Sequence, residues 1–164
     1  AALLLLCGAL AGGCGGGSPV KASGSQTVEI KVLRHGKQVL AVVPVTINGK
    51  GPYSFAIDTG ASQSLVDSAV AKELKVPKTG SKQRIAGIAS VSKLATIRVE
   101  EWRVGSVKLP STTIIETNLP FGNADGGVQG LLGSDMLSQF DIVTIDYAHS
   151  RLVLHHRAVP KSSG

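Results

Sequence analysis

The residues best suited to chemistry form one short segment, Asp58-Thr59-Gly60-Ala61, after the apolar stretch Phe55–Ile57. The apolar neighbours predict that Asp58 ends a buried strand, where a carboxylate is suited to general acid or base work. Thr59 can lock the turn through its hydroxyl, and Gly60 allows close backbone approach and offers its N–H to the carboxylate. Ala61 leaves room for a substrate or a partner chain. The same residues also fit an ordinary turn closed by an aspartate side chain, so they do not establish an active site alone.

The elements that hold this segment are predicted to be mostly β-strands, because apolar and polar residues alternate along the chain. Asn48-Gly49 predicts a hairpin between strands over 38–47 and 53–57. Asp67 is expected to cap a short helix over 68–75, ended by Pro77, and Ser134 to cap a second over 135–139. Other strands are predicted around 28–32 and over 83–88, 92–104, 107–109 and 112–116, with a final hairpin of 141–146 and 151–155. Many short strands indicate an all-β, barrel-like single domain with one or two short helices.

Length and cysteine content limit the possible functions. The chain has 164 residues, which suits one domain, and 43% of them are hydrophobic, which excludes a wholly disordered chain. Both of its cysteines lie within the first 14 residues. The rest of the chain therefore has no disulfide framework and no thiolate for nucleophilic or metal chemistry.

The first 25 residues predict an export signal followed by a tether. The apolar run Ala1–Ala11 is too short for a transmembrane helix but suits a signal, here a partial one. Cleavage after Ala11 competes with a lipoprotein site, because Ala11-Gly12-Gly13-Cys14 resembles the bacterial lipobox, in which Cys14 would carry the lipid. We expect signal over 1–14, a flexible Gly/Ser tether over 15–25, the folded domain over 26–157 and a tail over 158–164. Either site predicts an exported protein, anchored to a membrane or periplasmic or secreted.

The net charge of +6 belongs to the body of the chain, because residues 1–20 carry no charge. Basic residues crowd at 72–84 and 151–157, and one interpretation is binding to nucleic acid or another anionic surface, which would depend strongly on salt. Few aromatic residues are interleaved with them, and no nucleic-acid-binding module is recognised. We therefore favour a solvated basic surface and expect no nucleic-acid partner.

Two further segments extend the pattern around Asp58. Residues 43–62 contain the hairpin and the Asp-Thr-Gly turn, residues 125–137 read Asp-Gly-Gly-Val-Gln-Gly-Leu-Leu-Gly-Ser-Asp-Met-Leu, and residues 140–154 form the closing strands. In this order and spacing they resemble the retropepsin-like aspartic proteases of clan AA, especially the bacterial members. The resemblance implies the all-β fold of these acid proteases, in which Leu131-Leu132-Gly133 passes behind the catalytic turn and supports it.

The resemblance implies a catalytic mechanism as well. Aspartic proteases use two carboxylates that share a proton: one activates a water, and the other polarises the scissile carbonyl. This chain has one Asp-Thr-Gly, because none of its other aspartates is followed by Thr-Gly or Ser-Gly. The second carboxylate is therefore expected from Asp58 of a second copy in a two-fold homodimer. Asp135 is expected instead to cap or orient the second helix, and Asp146 to lie at a strand end.

The resemblance also implies how a substrate binds. A hairpin tip at Ala86-Gly87-Ile88 falls where the family has its flap, which closes over an extended peptide, although a plain surface hairpin is an alternative. Ala61 and Ser62 are expected to contact the same peptide beside the catalytic turn. Retroviral members have an aspartate at the position of Ser62 and an arginine at that of Ser134, which form an ion pair. Because both charges are missing here, the chain resembles the bacterial subgroup more closely.

The leading hypothesis is thus an exported, homodimeric aspartic endopeptidase whose catalytic turn is Asp58, Thr59 and Gly60. The resemblance implies that it requires neither a metal nor an organic cofactor. The alternative is a non-catalytic exported module that keeps the fold for binding or scaffolding. The two hypotheses differ in the consequence of Asp58→Asn, which abolishes cleavage only if the chain is an enzyme.

Overall fold

The computed structural model describes residues 24–35, 37–86, 91–119 and 127–156. The predicted signal with Cys14, most of the tether, the flap-tip residues Gly87 and Ile88, and the C-terminal tail lie outside these ranges. In the part of the chain that is described, no helix is long and apolar enough to cross a membrane.

Strands dominate the order of elements, as the alternating sequence predicts, and the expectation of a mostly β domain with short helices is confirmed. The strands are β1 (Ser25–Glu29), β2 (Lys31–His35), β3 (Gln38–Ile47), β4 (Lys50–Ile57), β5 (Leu65–Asp67), β6 (Lys78–Ala86), β7 (Val91–Val99), β8 (Trp102–Val104), β9 (Val107–Leu109), β10 (Thr112–Thr117), β11 (Gly130–Leu132), β12 (Ile142–Asp146) and β13 (Arg151–His155). The helices are α1 (Ser68–Leu74) and α2 (Ser134–Leu137).

These strands form a large and a small sheet. The large sheet has the order β6-β7-β10-β5-β11-β4-β3-β8-β9, and β2 pairs with β3. The small sheet has the order β1-β13-β12, so the first and last described strands are antiparallel neighbours, with Val28 opposite Leu152. Val28 and Leu152 belong to the same apolar core as Val43 and Trp102 of the large sheet. The two sheets therefore share an apolar core.

Two predicted local signals are confirmed in the structure. Asn48 and Gly49 join β3 to β4, and both have positive φ angles, 51° and 74°, as a tight hairpin turn requires. Asp67 caps α1, because its Oδ1 atom accepts a hydrogen bond from the Ala69 N–H at 2.8 Å. Lys75, in the left-handed conformation, ends that helix before Pro77.

Among the predicted boundaries that differ from the structure, three were wrong because a distant contact decides the structure. Ser134 begins α2 instead of capping it, since Gly133 holds the N-cap position and makes no side-chain cap. The strand predicted over 92–104 is divided at Glu100-Glu101. Before these residues β7 pairs with β10, and after them β8 pairs with β3. The first strand is interrupted at Ile30, whose N–H donates to the Ser150 carbonyl at 3.0 Å, so that β1 and β2 join different sheets.

Trp102→Phe is expected to lower the free energy of unfolding by about 1–3 kcal/mol. The Trp102 side chain is fully buried, and its Nε1–H donates to the Pro110 carbonyl at 2.8 Å. Phenylalanine fills less volume and leaves that carbonyl without its donor. Because Trp102 is the only tryptophan, unfolding in urea should be followed by circular dichroism instead of fluorescence. An unchanged midpoint would show that the hydrogen bond contributes nothing.

The hairpin of β12 and β13 has a charged residue, Asp146, at the end of its first strand. Asp146 accepts hydrogen bonds from the Arg151 guanidinium at 3.0 Å and from the His149 N–H at 3.0 Å. The Arg151 hydrogen bond, followed by those of His149, lowers the pKa of Asp146 from 3.8 to about 2. The ionised carboxylate therefore stabilises the folded hairpin at pH values above its unfolded pKa, and this contribution is lost as pH falls towards 2.

We expect Asp146→Asn to remove part of the acid dependence of stability. Thermal unfolding midpoints of wild type and variant should differ most above about pH 4 and should converge as the pH approaches 2. The measurement is a series of thermal melts across this range at constant ionic strength. A constant difference between the two proteins at every pH would contradict the assignment.

Candidate active site

Asp58 follows β4 directly and closes a tight turn with its own side chain. Its Oδ1 atom accepts hydrogen bonds from the Gly60 N–H at 2.9 Å and the Ala61 N–H at 3.2 Å. Among the described residues nothing is hydrogen-bonded to the other carboxylate oxygen, Oδ2. The half-buried carboxylate is thus held at one oxygen, and the second oxygen remains for another group.

The strand β11 lies directly behind this turn. It runs parallel to β4, with Leu132 opposite Ile57, and it separates β4 from β5. The Leu132 carbonyl accepts the Asp58 N–H at 3.1 Å, which fixes the first residue of the turn. Leu132 is buried and Leu131 is half-buried. The structure thus places Leu131 and Leu132 where the sequence predicts support for the turn.

The start of α2 holds the other end of the turn. The Ser134 N–H and hydroxyl both donate to the Ala61 carbonyl, at 2.8 and 3.0 Å. Gly133 packs so closely that an added Cβ atom would lie 2.7 Å from the Gln63 carbonyl carbon and 2.9 Å from the Ala61 oxygen. A side chain at residue 133 therefore does not fit, and the neutral Ser134 hydroxyl binds the backbone of the turn.

The outer face of the turn is open in a single chain. Thr59, Gly60 and Ser62 are exposed, and Ala61 is half-buried. The Thr59 hydroxyl makes no hydrogen bond to the described residues of its own chain, so the lock predicted for it is absent, and the Asp58 carboxylate closes the turn instead. The predicted substrate contacts Ala61 and Ser62 thus lie on or near the open face.

Three other carboxylates have partners of their own. The buried Asp67 accepts from the Ala69 N–H through Oδ1 and from the Leu119 N–H through Oδ2, at 2.8 and 2.9 Å. Asp135 accepts from the Met136 N–H at 2.9 Å and orients the first turn of α2, as expected. Asp146 belongs to the C-terminal hairpin. Neither Asp135 nor Asp146 is hydrogen-bonded to Asp58, and in the described ranges no three His, Cys, Asp or Glu residues are grouped to hold a metal.

The candidate flap is a hairpin at the end of the large sheet. β6 and β7 pair antiparallel, with Ala86 opposite Val91, and β6 is the terminal strand. Ala86, the first residue of the predicted tip, is the last described residue of β6, and Gly87 and Ile88 lie outside the described ranges. The backbone has the hairpin form that the sequence predicts at this place.

Sequence reasoning missed one buried polar residue of the site, Ser64, and the two short strands beside it. Ser64 precedes β5, and its hydroxyl donates to Asp135 Oδ1 at 2.7 Å. With three residues each, β5 and β11 are too short for an alternating pattern. A small polar residue directly before the apolar pair Leu65-Val66 is the only signal in the sequence.

Comparisons with known proteins concern the family and the fold of the chain. Residues 43–136 match a family model described as aspartyl protease. The fold is similar to the crystal structure of a retropepsin-like aspartic protease from Rickettsia conorii, with a TM-score of 0.53 and 20% identity, covering 82% of this chain and 93% of that one. EIAV protease complexed with the inhibitor HBY-793 gives a TM-score of 0.47 and 20% identity, covering 65% and 92%. No curated protein matches in sequence.

The matched segment accounts for more than half of the chain and contains both the Asp58 turn and the strand β11 behind it. The similarity to the Rickettsia structure confirms the fold that the sequence resemblance implied. On its sequence match, the chain belongs to the aspartyl protease family, and its fold is retropepsin-like.

Proposed function

We propose that two copies of this chain form an aspartic endopeptidase, in which each copy contributes one Asp58 carboxylate. The observation that carries the proposal is a complete Asp-Thr-Gly turn with an open outer face and a single carboxylate. Because Asp67, Asp135 and Asp146 have other partners, none of them supplies the second carboxylate. A two-fold axis beside Asp58 would bring the same group of a second chain to it.

Peptide hydrolysis follows from such a carboxylate pair. Two carboxyl groups at close distance do not both ionise easily, so the pair holds one shared proton. The ionised carboxylate takes a proton from a water, whose oxygen attacks the scissile carbonyl carbon, while the protonated carboxyl donates a hydrogen bond to the carbonyl oxygen. The tetrahedral intermediate then collapses and the C–N bond breaks. The leaving nitrogen receives the proton that the first carboxylate took from the water, which returns the pair to its starting state with one shared proton. The Gly60 and Ala61 N–H groups hold Oδ1 of Asp58 throughout.

The proposed substrate is a flexible segment of another protein, bound in extended form. The β6–β7 hairpin lies at the end of the large sheet, which supports its assignment as a flap. A hairpin of this kind offers backbone N–H and carbonyl groups to an extended peptide and excludes water from the reaction. Ala61 and Ser62 would contact the peptide beside the carboxylates.

A dilution experiment tests the two-chain site. Cleavage of fluorescently labelled casein should be measured between about pH 3 and 7, the range in which a shared-proton carboxylate pair operates. The specific activity should fall as the protein is diluted below its dimer dissociation constant, in parallel with the dimer fraction from sedimentation. A monomeric protein with constant specific activity would contradict the two-chain site. A dimer without cleavage would favour the binding or scaffold module.

We also propose that the chain is exported, with Cys14 as the lipid attachment site. The support is the apolar run followed by Ala11-Gly12-Gly13-Cys14. Expression of the full chain with an added export signal at its N-terminus, in bacteria fed with labelled palmitate, should label the wild type and not Cys14→Ser. An unlabelled chain that begins after Ala11 would indicate ordinary signal cleavage and release instead.

A further inference from the structure

A fully buried hydroxyl group lies behind the catalytic turn. Ser64 is 0% exposed and precedes β5. Its Oγ atom donates a hydrogen bond to Asp135 Oδ1 at 2.7 Å and accepts one from the Gly133 N–H at 3.0 Å. The hydroxyl thus connects two residues that lie about seventy positions further along the chain. A buried hydroxyl with both a donor and an acceptor partner is costly to remove, because its partners lose their hydrogen bonds.

Asp135 strengthens this connection. Its Oδ1 atom also accepts the Met136 N–H at 2.9 Å, so the carboxylate is fixed on the first turn of α2. A carboxylate acceptor polarises the Ser64 hydroxyl, which makes its oxygen a better acceptor for the Gly133 N–H. The three groups form a short chain of hydrogen bonds that ends on a backbone amide.

That amide lies between the two contacts that hold the catalytic turn. On one side of Gly133, the Leu132 carbonyl accepts the Asp58 N–H at 3.1 Å. On the other side, the Ser134 N–H and hydroxyl donate to the Ala61 carbonyl at 2.8 and 3.0 Å. The position of Gly133 therefore sets where both ends of the turn are held.

We propose that Ser64 and Asp135 are positioning residues, which fix the catalytic turn by holding Gly133. Neither residue is hydrogen-bonded to Asp58, and both act through the backbone of β11 and α2. The catalytic consequence rests on the proposed function, whereas the structural consequence is independent of it. When the hydrogen bond between Ser64 and Asp135 is broken, we expect the Gly60 and Ala61 amides, which bind Asp58 Oδ1, to lose order.

Amide hydrogen exchange measured by NMR tests this role in the full chain. Ser64→Ala and Asp135→Ala should speed the exchange of the Gly60 and Ala61 amides about tenfold or more, while amides in β7 and β10 keep their wild-type rates. The matched variant Asp135→Asn keeps an oxygen acceptor for Ser64 and should retain the wild-type exchange rates at Gly60 and Ala61. In casein cleavage, Ser64→Ala and Asp135→Ala should lower kcat about 10- to 100-fold with little change in KM, and Asp135→Asn should restore kcat.

Tyr53→Phe is the control for the loss of one hydroxyl. The Tyr53 hydroxyl donates to Glu73 Oε1 at 3.0 Å, away from Gly133. Burial, and after it the contact with Glu73, raises the pKa of Tyr53 to about 12, so the hydroxyl keeps its proton in the assay. This variant should leave the Gly60 and Ala61 exchange unchanged. Equal effects of Tyr53→Phe and Ser64→Ala, or faster exchange throughout the core, would overturn the positioning role. If the variants show the expected exchange pattern but the wild type does not cleave casein, the positioning role is supported and the endopeptidase is refuted.

Discussion

Asp58→Asn is expected to abolish peptide cleavage while the fold stays intact. The asparagine carbonyl oxygen can still accept the Gly60 and Ala61 N–H groups that bind Oδ1 in the wild type, at 2.9 and 3.2 Å. An amide, however, cannot take a proton from the attacking water. The loss of general acid–base catalysis should lower kcat about 10³- to 10⁴-fold. The measurement is cleavage of labelled casein, with circular dichroism and thermal unfolding to establish that the variant is folded.

Mixed dimers turn this substitution into a test of the shared site. When equal amounts of wild type and Asp58→Asn exchange subunits at random, about one quarter of the dimers contain two wild-type chains. Activity should therefore fall to about one quarter of that of an all-wild-type sample at the same total concentration. If each chain carried a complete site, about one half would remain. Asp146→Asn, which alters an aspartate outside the turn, should leave the activity of the mixture unchanged at the same pH, at a temperature below the melting midpoints of both proteins.

The features that the sequence predicts are those decided by neighbouring residues. Asn48-Gly49 is favoured in a tight turn by its own backbone preferences, and Asp67 caps α1 through a hydrogen bond two residues away. The Asp58 turn is local in the same sense, because its carboxylate binds amides two and three residues further along the chain. Such short-range interactions can be inferred from residue types and spacing alone.

The features that the sequence does not predict depend on contacts between distant segments. The strand β11 forms because it fits between β4 and β5, although three residues carry no alternating pattern. Ser134 has the residue type of a helix cap, yet its hydroxyl binds the Ala61 carbonyl, 73 residues away, and it begins the helix instead. Ser64 is a third example, because its hydroxyl has hydrogen-bond partners only when the fold brings Asp135 and Gly133 next to it. Propensity is overridden by tertiary contacts in each case.

Gly133→Ala is expected to lower both stability and activity strongly. The φ angle of Gly133 is −90°, which alanine adopts without strain, so the effect is purely steric. The new Cβ atom would lie 2.7 Å from the Gln63 carbonyl carbon, 2.8 Å from its oxygen and 2.9 Å from the Ala61 oxygen. These are backbone atoms, which cannot rotate away. We expect a loss of about 3 kcal/mol in the free energy of unfolding and a thermal midpoint lower by about 10 °C.

The same clash should displace the catalytic turn, because relief of the contact moves either Ala61 or the Gly133 peptide. A displacement of about 1 Å can lower kcat/KM about 10²-fold even where the chain remains folded. Gly24→Ala is the matched control, since a Cβ atom there meets nothing within 4 Å and should change neither quantity. If Gly133→Ala unfolds at the wild-type midpoint but cleaves less, the turn moves with little loss of stability in the core. Wild-type behaviour in both measurements would mean that the β11–α2 junction does not constrain the turn through steric contact.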